Sequence, residues 1–179
     1  MFDQLQEGIR KNNKIEWQYW LDNDIFSLKW WIIVLISVVF LLIFLALIDK
    51  QRIKLISIAF LVTFILVAIV NEGGYFFGLW SYPHQFVPFL KNVNAVDFLT
   101  IPVILTLLYQ FFSRWKYFLI ANIIVLLLIA YVAVPLFVYF KFYVLYKWNY
   151  TLSFVTLFIV SICVKVMVDW INKRAKQSY

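Results

Sequence analysis

Five uncharged apolar runs constrain this chain more than any other feature: Trp30 to Ile48, Leu55 to Asn71, Phe98 to Ser113, Tyr117 to Phe140 and Trp148 to Val164. A helix of about 20 residues crosses a hydrocarbon core of roughly 30 Å. In lipid every backbone N–H and C=O must be bonded within the structure, which leaves helices and closed barrels. The runs lack the alternation of barrel strands and are too few for a barrel. They read as transmembrane helices over about 30–48, 55–72, 97–113, 117–140 and 148–168. The second, third and fifth runs are slightly short, and flanking Lys and Arg side chains can snorkel to the interface. The expected fold is all-α: a five-helix transmembrane domain over 29–179, preceded by a polar, amphipathic segment over 1–28.

Within that N-terminal segment Phe2, Leu5 and Ile9 recur at spacings of three and four, as one face of a short interfacial helix would. Trp17, Trp20, Trp30 and Trp31 suit a layer at the headgroups. The segment reads as an anchor for the first span rather than a partner-binding arm. Its polarity over about 24 residues does not fit a cleavable signal peptide.

Composition agrees with the bilayer. Hydrophobic residues make up 65% of the 179 and charged residues 14%, against roughly 45–50% and 25% in soluble domains. A soluble chain of this size could not bury so much apolar surface. The net charge of +7 comes from short basic clusters beside apolar runs, which fit topology and anionic lipids rather than nucleic acid. Cys163 is the single cysteine and His84 the single histidine. No disulfide, metal centre or cofactor is expected, and no nucleophile has a credible spacing to His84, so no catalytic residue is assigned.

Basic residues set the expected orientation. Lys50, Arg52, Lys54, Arg114 and Lys116 lie in loops on one side, and Lys91, Lys141 and Lys147 in loops on the other. The richer side also carries Lys165, Lys173, Arg174 and Lys176, and the other side Arg10, Lys11, Lys14 and Lys29 of the N-terminal segment, where tail residues far from a helix end count less. The C-terminus is therefore expected in the cytoplasm and the N-terminus outside, in a bacterial cytoplasmic membrane. Pro135 is expected to kink the fourth helix and Pro102 to loosen the start of the third. No internal repeat of the kind many transporters carry is visible.

The candidate site is the segment Asn71 to His84, closed by Asp97. It holds Gly73, Gly74 and Gly78, three of the four glycines. Glu72 lies 18 steps from Lys54, about 27 Å along a helix, near the outer edge of the hydrocarbon. An acid there is either a functional group or a carboxylate reaching the headgroups. Asp97 follows Asn94 by three residues, in the pattern of a capping box. Glu72 and Asp97 end helices that one loop joins, and two neighbouring carboxylates would suit a proton or cation. Gly74 and Gly78 have the spacing of close helix packing. With Pro83, Pro102 and Pro135 the glycines are given structural roles. Trp80, Tyr82 and His84 read first as an interfacial belt. The sharper reading is an aromatic-walled pocket for a lipid, with His84 as its hydrogen-bonding partner. Tyr139, Tyr143, Tyr146, Trp148 and Tyr150 read as belt residues of the other outer loop. Lys165 and Asp169, at i and i+4, are expected to pair.

The stretch Gly78-Leu79-Trp80-Ser81-Tyr82-Pro83, with Val96-Asp97-Phe98, Ile101-Pro102-Val103, Leu108-Tyr109-Gln110-Phe111-Phe112 and Arg114-Trp115-Lys116, resembles a known family. Looser similarity runs on to Lys147-Trp148-Asn149-Tyr150 and Ser153-Phe154. The family is one of small, uncharacterised multi-pass membrane proteins of spore-forming Gram-positive bacteria. The resemblance implies about five helices and no particular activity. It also implies a Glu just before the proline of the fourth helix, where this chain has Val134, and Ser-Phe-Pro where it has Ser153-Phe154-Val155. Three function classes follow. The preferred one is a non-enzymatic protein that binds lipid, a membrane-protein partner or a second copy of itself. The others are a small transporter, channel or ion-coupled subunit, and a lipid-modifying enzyme.

Overall fold

The computed structural model describes residues 1–89 and 99–177. Six helices lie among them: α1 (Phe2–Asn23), α2 (Leu28–Leu47), α3 (Ile53–Phe76), α4 (Thr100–Phe111), α5 (Trp115–Tyr139) and α6 (Tyr150–Gln177). Four of these, α2, α3, α5 and α6, are long and apolar enough to cross a membrane. The chain is thus a multi-pass membrane protein in contact with the bilayer. The fifth apolar run forms the shorter α4. The N-terminal helix is not short, since α1 runs for 22 residues.

The buried stripes explain the packing. On α3, Ile56, Ala59, Thr63, Val67, Asn71 and Gly74 are buried at steps of three and four, one continuous helix face. That face meets α4 and α6. On α2 only Ile33 and Phe44 are buried, as suits a helix turned mostly to lipid. α4 is the reverse: Ile101, Pro102, Val103, Leu105, Thr106, Leu108, Tyr109 and Gln110 are all buried. Its 12 residues rise only about 18 Å, too short to span the hydrocarbon, and the other helices shelter it.

Gln110 fixes the depth of α4. Its Nε2 donates to the Leu47 carbonyl at 2.7 Å and its Oε1 accepts from the Asp49 N–H at 3.0 Å. Arg52 Nη2 donates to the Gln110 carbonyl at 3.2 Å. The C-terminus of α4 is thereby tied to the turn between α2 and α3, and Thr100 lies about 15 Å along the helix from that tie. In that turn Arg52 Nε also donates to Asp49 Oδ2 at 2.6 Å and holds the Asp49 carboxyl below its ordinary range.

Pro135 acts on α5 as a local widening. Residues Ile129–Ala133 are π-helical, and the Val134 N–H reaches back five residues to the Ile129 carbonyl. Proline offers no N–H and its ring crowds the carbonyl four residues back, so a wider turn just before it relieves both problems. Pro102 sits in the first turn of α4, where a missing N–H costs nothing.

At the end of the bundle opposite Trp80, Lys165 is 1% exposed. Its Nζ donates to the Ser113 carbonyl at 3.0 Å and faces Asp169 at 3.3 Å. The rings of Tyr109, Trp115 and Phe118 surround it, with centroids at 5.1, 5.1 and 5.0 Å. The expected Lys165–Asp169 pair is present, but the ammonium turns into a cage of aromatic faces instead of snorkelling out.

Candidate functional site

The loop after α3 folds back into the bundle. Gly78 adopts φ +60°, which reverses the chain just past the helix end. Trp80 and Ser81 then pair antiparallel with Leu145 and Val144. This two-residue ladder joins the α3–α4 and α5–α6 connections and aims Trp80 inward. Trp80 is 5% exposed. Trp80 Nε1 donates to Asn71 Oδ1 at 3.0 Å, and Tyr82 OH donates to the same oxygen at 3.2 Å. Trp148 meets Trp80 edge-on at 4.7 Å, and Tyr143 stacks on Tyr82 at 5.0 Å. Trp148 Nε1 is in turn satisfied by Ser153 Oγ at 2.9 Å. Trp80, Tyr82, Tyr143 and Trp148 therefore form a roof, not an outward belt, because Asn71 and Ser153 give Trp80, Tyr82 and Trp148 acceptors inside and Tyr143 stacks on Tyr82. Tyr139 and Tyr146 do stay exposed.

The two helix glycines differ. A Cβ on Gly74 would lie 2.0 Å from Trp80 Cζ2 and 2.2 Å from Cη2. Gly74 is therefore the floor on which the indole rests. A Cβ on Gly73 would meet nothing within 4 Å among the described residues. Glu72 lies on the exposed face of α3. Asp97 and Asn94 fall outside the described residues, so the expected proximity of Asp97 to Glu72 does too.

Beneath the roof lies a cavity of about 310 Å³. Ile36 and Phe40 of α2 line one wall, Val67 and Val70 of α3 another, and Thr100, Ile101 and Ile104 the base. Ile129, Ala133 and Val134, from the widened turn of α5 and its end, and Leu157 and Val160 of α6 close the remaining sides. Asn71 takes the polar atoms of Trp80 and Tyr82, and Ser153 takes that of Trp148. The surface left facing the space is almost wholly apolar.

His84 belongs to a separate polar cluster beside that roof. Its Nδ1 lies 2.6 Å from Asp24 Oδ1 and its Nε2 lies 2.8 Å from Lys29 Nζ. An ammonium can only donate, so Nε2 accepts and the ring proton sits on Nδ1, given to Asp24. The Asp24 side chain is 3% exposed, and its second oxygen accepts from the Gln85 N–H at 3.3 Å. Trp20 Nε1 donates to the Gln85 carbonyl and Trp30 Nε1 to the Phe86 carbonyl, at 3.1 and 3.0 Å. The α1–α2 corner is thus bound to the segment after Pro83. Sequence reasoning missed Asp24 and Lys29. The available signal was a lone histidine in a membrane protein, which needs polar partners from somewhere in the chain.

Among the described residues no group of three His, Cys, Asp or Glu side chains could hold a metal ion. Comparison with protein-family models, curated proteins and solved structures finds no match.

Proposed function

We propose that this membrane protein binds an amphiphile, without chemistry, by taking its hydrocarbon chain into the cavity under the Trp80 roof. The apolar space of about 310 Å³ inside the bundle carries the reading. Protein interiors hold few voids larger than a water. Apolar space of this kind beside a bilayer is filled by hydrocarbon, and a lipid chain entering it buries apolar surface on both sides. The widened turn before Pro135 and the first turn of α4 both border the space.

The richer basic side, with Lys50, Arg52 and Lys54, faces the cytoplasm, which puts the roof and His84 outside. The membrane is the cytoplasmic membrane of a spore-forming Gram-positive bacterium, as the resemblance to that family implies. Residues that carry the resemblance meet in the roof: Gly78 turns the chain, and Trp80 packs on Trp148, which bonds Ser153. A reporter fused after Tyr179 should read as cytoplasmic; a periplasmic-type signal would reverse the orientation.

The binding test is native mass spectrometry of the full chain released from neutral micelles. The wild-type protein should retain one amphiphile, and Ile104→Trp, which fills the base of the cavity, should lose it while remaining folded. Equal retention by the two proteins would refute the reading.

A further inference from the structure

We propose that Lys29 and His84 form the headgroup site of this same cavity, and that its ligand is an amphiphile with an anionic, phosphate-bearing headgroup. The inference rests on the reading of the cavity as a chain-binding site.

The first support is register. Lys29, Ile33, Ile36 and Phe40 follow one another on α2 at steps of four, three and four, a single helix stripe. Ile36 and Phe40 line the cavity, and Lys29 lies seven residues before Ile36, about 10 Å toward the Trp80 end. Between them Ile33 packs with Phe142 and Phe137, and Phe137 itself borders the cavity. The imidazole of His84 meets Phe142 edge-on at 6.1 Å. One file of side chains therefore leads from an ammonium and an imidazole, past the packed Ile33 and Phe142, to the edge of the hydrocarbon space. That is the profile of an amphiphile.

The second support is the arrangement of charge. Asp24 is turned away behind the imidazole, with its oxygens engaged by His84 Nδ1 and the Gln85 N–H. Among the described residues no carboxylate lies within ion-pair distance of Lys29. The ammonium spends one N–H on His84 Nε2 and has two more. A phosphate oxygen arriving beside it accepts from Lys29. His84 Nε2 holds the ammonium in place, and Asp24 holds the imidazole from behind. A neutral headgroup offers the ammonium no charge-assisted bond.

Free phosphate shares this chemistry, so the test separates the two sources. The full chain in neutral micelles is titrated with three probes: phosphatidylglycerol with brominated chains, diacylglycerol with the same chains, and inorganic phosphate. Trp80 is one of 8 tryptophans, so entry of a chain under it is read as the part of the tryptophan quenching that Trp80→Phe removes. Phosphatidylglycerol should bind at least about tenfold tighter than diacylglycerol. Lys29→Gln should bring the ratio close to one without weakening diacylglycerol, and Lys29→Arg should keep the preference. Asp24→Asn, a positioning change, should weaken phosphatidylglycerol alone. Equal binding of the two lipids by wild type would overturn the headgroup site and leave the cavity reading standing. Quenching by neither lipid would overturn both. Binding of inorganic phosphate at Lys29 with no preference between the lipids would overturn the assignment to an amphiphile.

Discussion

Gly74→Ala and Gly73→Ala are neighbouring changes of one methyl group, and the structure gives them opposite signs. At either site alanine favours the helix by about 0.5–1 kcal/mol. At Gly73 the methyl meets nothing within 4 Å among the described residues, so that gain stands. At Gly74 it would enter the indole of Trp80 at 2.0–2.4 Å. The indole cannot slide away freely, because Trp148 meets it at 4.7 Å and Tyr143 at 6.4 Å. Forcing a methyl into such packing costs about 1–3 kcal/mol. Displacing the ring also breaks the bond from Nε1 to Asn71, and a stranded buried donor costs a further ~1–3 kcal/mol. The net expectation is a loss of about 1–5 kcal/mol for Gly74→Ala, against a small gain for Gly73→Ala. Thermal unfolding in micelles, followed by tryptophan fluorescence, measures both. A Gly74→Ala protein as stable as Gly73→Ala, with unchanged emission, would refute the inward placement of Trp80.

The caged Lys165 gives a second contrast: Lys165→Met keeps the packed stem and removes the buried charge, so stability in micelles should change little, whereas Lys165→Ala opens a hole and should cost about 2–4 kcal/mol. Asp169→Asn should cost only about 1 kcal/mol, because the carboxylate is 38% exposed and screened. Removing the shared acceptor with Asn71→Leu should destabilise the roof by about 1–3 kcal/mol and blue-shift or broaden tryptophan emission, with an unchanged spectrum counting against the network. Arg52, by its hydrogen bond, holds the Asp49 carboxyl low. A lowered value means the contact is fully present above the ordinary carboxyl range and is lost as pH falls through the lowered one. The Asp49 carboxyl carbon should therefore titrate below a free-peptide carboxyl and move upward in Arg52→Gln; identical midpoints would contradict the contact.

The hydropathy of the chain located the helices well, because lipid imposes length and apolarity on anything that crosses it. Leu28–Leu47 and Ile53–Phe76 match the first two apolar runs within a few residues. The fate of the third run was not legible. Hydropathy cannot distinguish an apolar helix facing lipid from one buried in protein, and α4 is the latter, tied at its C-terminal end through Gln110. Trp80 shows the same ambiguity at one residue: an indole suits an interface or an interior, and the acceptor on Asn71, nine residues away, decides between them. His84 drew attention as a solitary imidazole, but its partners Asp24 and Lys29 lie 60 and 55 residues away. No local pattern connects groups that only tertiary folding brings together.

Photolabelling tests the central claim most directly. A lipid carrying a diazirine near the end of its chain would be activated with the protein in bilayers, and the adducts located by peptide mass spectrometry. The account predicts labelling of Ile104, Leu157 and Val160, which line the cavity, and competition of those adducts by excess unlabelled lipid. Labelling confined to Leu35, Leu42 and Leu45 on the exposed face of α2, with none in the cavity, would contradict it.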